Sequence, residues 1–234
     1  MRIKRALTTG AMALAMAGTV LAPGSASAAP PAPSDDVSPS IIGGTYGNYG
    51  PAARLYRNGR ETCSATIIAP QWILTARHCV GSGMTFRIGN PVASQGTFAR
   101  ATNYTNHSAD LSLVRLDRSV QASYAQLASS NPTRGNTVNV YGWGATCRGN
   151  EAGCQSPRLK TATTTYYGIS RDAYGGQALY LYRGNGITAG GDSGGPAVYN
   201  GTQVGVASTS NRSTVTNYTS VAAYRSWIRQ VAGV

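Results

Sequence analysis

The chain has 234 residues, of which 41% are hydrophobic and 12% charged, and its formal net charge is +12. Three basic and two acidic residues precede position 41, so the rest of the chain holds seventeen basic and six acidic side chains, a charge of +11. A segment of this size can bury a substantial core. Its arginines are scattered singly, without a basic run, which argues against a nucleic-acid partner and for a solvated positive surface.

Residues 1–28 have the pattern of a secretory signal peptide. Basic residues near the start precede an apolar run at 11–22, and Ala26, Ser27 and Ala28 fit a cleavage site. The apolar run is too short to span a bilayer comfortably, so we expect a secreted, extracellular protein rather than one with a retained membrane anchor. Residues 29–40 contain four prolines and no aromatic residue, and we interpret them as a propeptide or linker.

Short runs of branched and aromatic residues, separated by glycine-rich turns, follow from residue 41 onward. This spacing predicts an all-β barrel or sandwich rather than alternating helices and strands. Asn200 and Gly201, between two apolar runs, predict a tight hairpin turn. Apolar residues recur at intervals of three and four over residues 221–232, which predicts a terminal amphipathic helix.

The four cysteines all lie beyond residue 41, in a chain that can be oxidised once it is exported. Three pairings are possible. Joining neighbours in sequence, Cys63 with Cys79 and Cys147 with Cys154, closes two short loops worth on the order of 2 to 3 kcal/mol each, and we expect this pairing. A metal site is the alternative, but there is no CxxC and only His78 adjoins a cysteine, so we expect no metal.

Two histidines could transfer a proton near neutral pH. His78 ends an apolar run beside a candidate disulfide that would hold it rigidly, whereas His107 lies in a polar stretch; a lone histidine in either place is more often structural. Asp110 precedes the apolar run LSLVRL, where a partly buried carboxylate needs a donor such as an imidazole N–H, while Asp117 follows the run into solvent. Ser193 stands on the glycine-rich stretch GGDSGGPAV, whose backbone N–H groups can face an oxyanion. Base, orienting carboxylate and nucleophile are thus all available.

The segments IIGG, TARHC, ADLSLVRL and GDSGGP occur in this order, and together they resemble the chymotrypsin/trypsin-like family of secreted serine proteases in its compact bacterial form. The resemblance covers the chain beyond residue 40. It implies two packed antiparallel six-stranded β-barrels, at about residues 41–125 and 126–220, followed by a C-terminal α-helix at about 221–232. The active site would lie in the cleft between the barrels.

The resemblance assigns a role to each candidate residue. His78 would take the proton of Ser193, and Asp110 would hold the imidazole in one tautomer. The backbone N–H groups of Gly191 and Ser193 would form the oxyanion hole. Ser208, in VGVAS, matches the serine that hydrogen-bonds this aspartate in the family.

Asp192 lies beside the nucleophile, and the resemblance gives it a partner far away in the sequence. A buried carboxylate needs a cation, and no lysine or arginine adjoins Asp192. In the family the cation is the α-amino group of the residue that opens the IIGG motif, here Ile41. We therefore expect a zymogen in which cleavage after Ser40 frees that amine. Ser40 is not the arginine or lysine that many members have at this site, which leaves the activating protease open.

The resemblance also implies where a substrate side chain binds. Ile187 stands at the pocket floor, where members that cleave after lysine or arginine have an aspartate. Ser210 and Thr216 stand where the family often has glycine, so we expect a shallow pocket for small, uncharged side chains. A disulfide that flanks this pocket in the family is absent, because Ala189 takes the place of a cysteine.

We therefore expect a monomeric serine endopeptidase without a cofactor, which hydrolyses proteins or peptides through an acyl-enzyme intermediate. Two alternatives stay open: an esterase that uses the same triad, and a non-catalytic binding homologue. Loss of His78, Asp110 or Ser193 would favour the binding homologue, and none is lost. Arg77 replaces the family's usual alanine beside the histidine, and close to the imidazole it would disfavour the imidazolium.

Overall fold

Short strands form nearly all of the regular structure in residues 41–234, the part of the chain that the computed structural model describes. The predicted signal peptide and propeptide lie outside the described residues. In chain order the strands are β1 (Thr45–Tyr46), β2 (Ala52–Arg57), β3 (Arg60–Ala69), β4 (Trp72–Thr75), β5 (Met84–Ile88), β6 (Thr97–Asn106), β7 (Ser112–Leu116), β8 (Gln126–Leu127), β9 (Thr137–Gly142), β10 (Lys160–Arg171), β11 (Gln177–Arg183), β12 (Pro196–Tyr199), β13 (Thr202–Ser210) and β14 (Val215–Ser220). A short α-helix, α1 (Arg225–Ala232), follows them, and 3-10 turns occur at Arg77–Cys79, Glu151–Gly153 and Ala222–Tyr224.

The first barrel closes in the order β2-β3-β4-β7-β6-β5, with each neighbouring pair antiparallel. Burial alternates along β5, where Met84, Phe86 and Ile88 are buried and the residues between them are partly exposed. This period of two is what a strand with one buried face requires. Ile228 of α1 joins the same core, so the terminal helix packs on the first barrel.

The second barrel follows the order β9-β10-β11-β14-β13-β12 and closes because β12 pairs with β9. Its six strands are antiparallel; β1 adds to β10, and the two-residue strand β8 pairs in parallel with β13. The core contains Val138, Val140, Leu179, Leu181 and Tyr218, together with Ile41. The predicted fold, two packed antiparallel six-stranded barrels with a C-terminal helix, is confirmed.

Two Asn-Gly turns close hairpins. Asn200 and Gly201 connect β12 to β13 with φ of 47° and 77°, the left-handed conformation that a two-residue hairpin loop needs. The hairpin predicted at this position is confirmed. Asn58 and Gly59 form a similar turn between β2 and β3, with φ of 50° and 77°.

The two disulfides, Cys63–Cys79 and Cys147–Cys154, join neighbours in sequence as expected. The terminal helix is shorter than the predicted range 221–232, because the chain first makes the 3-10 turn and α1 begins only at Arg225. It ends at Gly233, whose φ of 79° gives a left-handed cap. Within residues 41–234, no helix has both the length and the apolar character needed to cross a membrane.

Candidate active site

His78 lies on the 3-10 turn that follows β4, and the disulfide Cys63–Cys79 ties this turn to β3. Cys79 is fully buried, while the side chain of His78 is about one-third exposed. The turn therefore holds the histidine backbone firmly and leaves its ring at the surface of a cleft. This is the arrangement that the sequence predicted for a rigidly held proton-transfer group.

Asp110 is fully buried just before β7, and its carboxylate receives three hydrogen bonds. Oδ1 accepts the backbone N–H of His78 at 3.0 Å, and Oδ2 lies 2.7 Å from His78 Nδ1. The hydroxyl of Ser208 donates to Oδ2 at 2.6 Å. Burial alone would raise the pKa of Asp110, but the hydrogen bonds from His78 and Ser208 outweigh it and lower that pKa below its usual value. An ionised carboxylate only accepts, so the ring proton lies on Nδ1 and Nε2 is free to take a proton.

Asp172 supports this group from behind, a role that the sequence did not predict. Its carboxylate oxygen Oδ2 accepts the backbone N–H of Asp110 at 2.9 Å and the hydroxyl of Thr219 at 3.0 Å. The next residue, Ala173, donates its N–H to the Ser208 hydroxyl at 2.9 Å. The stretch RDAYGG has the composition of an ordinary turn between two strands, so no sequence signal marks it as part of a site.

Ser193 lies on the turn before β12 and lines the same cleft as His78, a cavity of about 310 Å³. The backbone N–H groups around it are mostly used: Asp192 N–H donates to the Ala189 carbonyl and Gly194 N–H to the Ala207 carbonyl. Those of Gly191 and Ser193 donate to no acceptor within residues 41–234. Gly191 has a φ of 98°, which a residue with a Cβ rarely adopts. Two unused donors beside a serine hydroxyl are what an oxyanion hole requires.

Asp192 is fully buried behind this turn. Its carboxylate accepts backbone N–H groups from Gly144 at 2.7 Å and from Ala189 at 2.9 Å. Burial raises its pKa from 3.8 to about 6, although these two hydrogen bonds act in the opposite direction. Ile41, its predicted partner, is buried in the core of the second barrel and is still joined to Ser40 by a peptide bond. Within the described residues no hydrogen bond links the two.

The wall of the cleft carries several hydroxyl groups. The buried side chains of Thr188 and Thr216 have their hydroxyl oxygens 2.7 Å apart, and the hydroxyl of Ser210 donates to the Thr188 carbonyl at 2.8 Å. Ser210 and Thr216 both line the cleft. Ile187, the residue expected at the pocket floor, is fully buried, donates its N–H to the Ile42 carbonyl and does not line the cleft, whereas its neighbour Thr188 does.

An ion pair crosses the rim of the cleft near Ala189, where the family's flanking disulfide is absent. The guanidinium of Arg212 donates through Nε and Nη2 to the two carboxylate oxygens of Glu151. Glu151 also accepts the backbone N–H of Gly190 at 3.0 Å. The hydrogen bond from Arg212 lowers the pKa of Glu151, so the carboxylate is ionised over a wide pH range. This pair ties the wall after β13 to the turn that carries Ser193.

Arg77 points away from the imidazole beside it. Its Nη1 lies 3.3 Å from the carbonyl oxygens of His107 and Ser108, and its guanidinium lies 4.4 Å from the ring centre of Tyr174. His107 packs against aromatic rings of the C-terminal segment and takes no part in the cleft described above. The unusual arginine is therefore a surface contact between loops rather than a cation aimed at His78.

Among the described residues, one cluster could in principle hold a metal: Cys63, His78 and Cys79. Both cysteines of this cluster are joined in a disulfide. A disulfide sulfur carries no thiolate charge to bind a metal ion, so the residues present do not form a metal site.

Comparison with known proteins agrees with this geometry. The profile of a family described as Trypsin matches residues 41–228. Snake venom serine protease rhinocerase 4 of Bitis rhinoceros is 28% identical over 228 residues, covering 82% of this chain and 88% of the relative. Thrombin-like enzyme CPI-enzyme 2 of Gloydius ussuriensis is 31% identical over 196 residues, covering 72% of this chain and 76% of the relative. The solved structure of neuropsin, a serine protease expressed in the limbic system of mouse brain, has the same fold with a TM-score of 0.69 at 22% identity, covering 78% of this chain and 94% of that chain. The chain thus belongs to the trypsin family of serine endopeptidases.

Proposed function

We propose that the chain is a secreted endopeptidase in which Ser193 is the nucleophile, His78 the general base and Asp110 the residue that orients it. The observation that carries this proposal is the hydrogen bond between His78 Nδ1 and Asp110 Oδ2 at 2.7 Å, made by a ring that shares its cleft with Ser193. This bond keeps the ring proton on Nδ1 and leaves Nε2 unprotonated, so that Nε2 can accept the serine proton.

The proposed reaction has two halves. Ser193 Oγ attacks the carbonyl carbon of the peptide bond while its proton moves to His78 Nε2, and the resulting oxyanion accepts hydrogen bonds from the N–H groups of Gly191 and Ser193. His78 then gives the proton to the leaving amine, the C–N bond breaks, and an acyl ester on Ser193 remains. Water attacks this ester in the second half, losing a proton to His78, which returns it to the serine oxygen as the acid leaves.

The proposed activation step joins Ile41 to Asp192 after cleavage behind Ser40. Burial of Asp192 without a close ammonium group, and the resulting rise of its pKa to about 6, support the need for a new cation in the mature enzyme. The α-amino group of Ile41, freed by cleavage, would supply that positive charge.

The proposed specificity is for small, uncharged side chains at the residue before the cleaved bond. The paired, buried hydroxyls of Thr188 and Thr216 line the cleft, and they would limit how large a side chain it accepts. None of the described residues that line the cleft carries a carboxylate, and the cationic Arg212 at its rim is paired with Glu151. The cleft therefore offers no charge to bind a basic side chain.

The decisive experiment is covalent labelling of protein that begins at Ile41. A biotinylated fluorophosphonate should modify Ser193 in a one-to-one ratio, as measured by intact-protein and peptide mass spectrometry. The control is Ser193→Ala, which should fold with the same circular dichroism spectrum and stay unlabelled. Correctly folded protein that begins at Ile41 but takes up no label would overturn the proposed function.

A further inference from the structure

The Gly190–Gly191 peptide bond sets the direction of one donor of the oxyanion hole. Its carbonyl oxygen, on Gly190, accepts the backbone N–H of Ala145 at 2.8 Å and the side-chain Nε2 of Gln155 at 2.9 Å. No cis peptide occurs in the described residues, and in a planar trans peptide the C=O and N–H groups point in opposite directions. The two bonds to Gly190 therefore turn the Gly191 N–H the other way, where it meets no acceptor within residues 41–234.

Gln155 can hold this carbonyl only while its amide nitrogen faces it. The same Nε2 donates to the carbonyl of Glu151 at 2.8 Å, and Oε1 accepts from Nη2 of Arg54 at 2.7 Å. Because an arginine only donates and a backbone carbonyl only accepts, a single orientation of the amide satisfies all three contacts. Arg54 thus fixes the Oε1 end of the Gln155 amide, and the two carbonyls fix its Nε2 end.

Arg54 comes from β2 of the first barrel and is fully buried. Its Nη1 donates to the Gly191 carbonyl at 3.1 Å, and the hydroxyl of Ser64 donates to the same oxygen at 2.9 Å. Its ion-pair partner, Glu61, lies 3.7 Å away, beyond hydrogen-bond distance. The buried carboxylate of Asp192 also attracts this guanidinium. Burying a guanidinium whose ion pair lies beyond hydrogen-bond distance is costly for stability, which points to a role in the site.

We propose that Arg54 and Gln155 are positioning residues that lock the Gly191 N–H in the direction of the oxyanion. Arg54 acts directly on the carbonyl of Gly191 and, through Gln155, on that of Gly190. The inference rests on the proposed function, because it concerns the acyl-transfer transition state at Ser193. Since charge on the substrate oxygen develops only in that transition state, loss of the lock lowers kcat and leaves KM nearly unchanged.

The test compares Gln155→Met with the parent enzyme on one peptide ester. Methionine keeps the length of the side chain but removes both the donor and the acceptor. We expect kcat to fall about 10- to 100-fold with KM changed less than about threefold; the loss is smaller than for a deleted oxyanion donor, because Ala145 still holds the Gly190 carbonyl. A peptide aldehyde, which forms an oxyanion on Ser193, should bind weaker by the same factor, and the matching peptide amide should bind as before.

Arg54→Met should give the same pattern, and the double variant should lose no more than about the larger single loss, because both residues act through one contact chain. Arg54→Lys should recover part of the activity, since an ammonium can still donate to Gln155. The matched control is Arg87→Met. Arg87 lies opposite Arg54 in the register of β2 and β5, but its guanidinium packs against the ring of Phe98. The kcat and aldehyde affinity of this control should equal those of the parent.

Several outcomes separate this inference from the proposed function. If the parent is labelled at Ser193 and Gln155→Met retains full kcat and aldehyde affinity, the positioning role of Gln155 and Arg54 is contradicted, while the proposed endopeptidase function stands. If KM rises and amide binding weakens while kcat falls, the residues shape the pocket and the inference is again overturned. Should Arg54→Met fail to fold, the partly exposed Gln155 still decides the question. A parent that is not labelled removes the proposed function itself, and the inference with it.

Discussion

At the scale of single residues, the site depends on one buried carboxylate that stays charged. Asp110 has no solvent contact, and it is ionised only because the backbone and ring of His78 and the hydroxyl of Ser208 all donate to it. Each of these donors is itself held: Ser208 by the N–H of Ala173, and the backbone of Asp110 by Asp172. The imidazole therefore has one orientation and one tautomer.

Replacing Asp110 with asparagine tests this assignment. The amide is nearly the same size, but it offers an N–H to the ring, so Nδ1 becomes the acceptor and the proton moves to Nε2, which can no longer take the serine proton. We expect kcat to fall about 10³- to 10⁴-fold with KM little changed, as measured by steady-state hydrolysis of a peptide anilide.

The control is Asp117→Asn, which changes a carboxylate that hydrogen-bonds Arg118 on the surface after β7. It should have the activity of the parent. A folded Asp110→Asn enzyme with more than about a tenth of the parent kcat would contradict the role given to Asp110.

At the scale of elements, local chemistry decides what the sequence can predict. The hairpin at Asn200 and Gly201 follows from two neighbouring residues with φ above zero, and the catalytic turn follows from its run of glycines. Arg54 and Asp172 carry no such signal, because their partners Gly191 and Asp110 lie 137 and 62 residues away. Such contacts exist only once the two barrels are packed.

Only part of the lining of the cleft can be predicted from local sequence. Its walls lie on β13 and β14, so Ser210 and Thr216 could be aligned with the family. The segment that contributes Thr188 is irregular, so its position in the sequence does not show which of its residues faces the cleft. The ion pair between Arg212 and Glu151 could not be predicted from the sequence either, because Glu151 belongs to the Cys147–Cys154 loop, 61 residues away.

A substitution in β14 tests the proposed preference of the cleft for small side chains. Thr216→Gly removes a cleft-lining side chain whose hydroxyl pairs with that of Thr188, and it leaves more space there. The parent should prefer alanine or valine before the cleaved bond over arginine, glutamate and phenylalanine. The variant should gain about 10-fold in kcat/KM for phenylalanine relative to alanine, since one or two buried methylene groups are worth about 1 to 3 kcal/mol.

The measurement is kcat/KM on a set of peptide anilides that differ at that residue alone. Ser213→Gly, an exposed change in the turn after β13, is the control and should leave the order of substrates unchanged. A parent that prefers arginine, or a variant with the parent's order, would contradict the pocket assigned to Thr188 and Thr216.

At the scale of the whole molecule, the proposed pairing of Asp192 with Ile41 would make the turn that carries Ser193 depend on cleavage after Ser40. The pKa of Asp192 is raised from 3.8 to about 6 by burial in the uncleaved chain. The unfolded chain therefore ionises this group more readily than the folded one, and stability contributed by the neutral carboxyl is present below pH 3.8 and is lost as the pH rises toward 6. A rise of this size corresponds to about 3 kcal/mol at pH 8.

Asp192→Asn in the uncleaved chain should remove this pH dependence, because an amide does not ionise. The amide accepts only one of the two backbone N–H groups that the carboxylate accepts, which is a cost at every pH. The stability of the variant relative to the parent should nevertheless rise by up to about 3 kcal/mol between pH 4 and pH 8. Both proteins would carry Ser193→Ala to prevent self-cleavage, and urea unfolding would be followed by tryptophan fluorescence. Asp117→Asn is the opposite control: hydrogen bonds from Arg118 and the backbone of Arg100 lower the pKa of Asp117 to about 2, so its removal should not stabilise at any pH.

In protein that begins at Ile41, Asp192→Asn leaves the new ammonium group buried without a counter-ion, so there it should destabilise. Equal effects of Asp192→Asn in the precursor and in the cleaved protein would rule out Ile41 as the partner of Asp192.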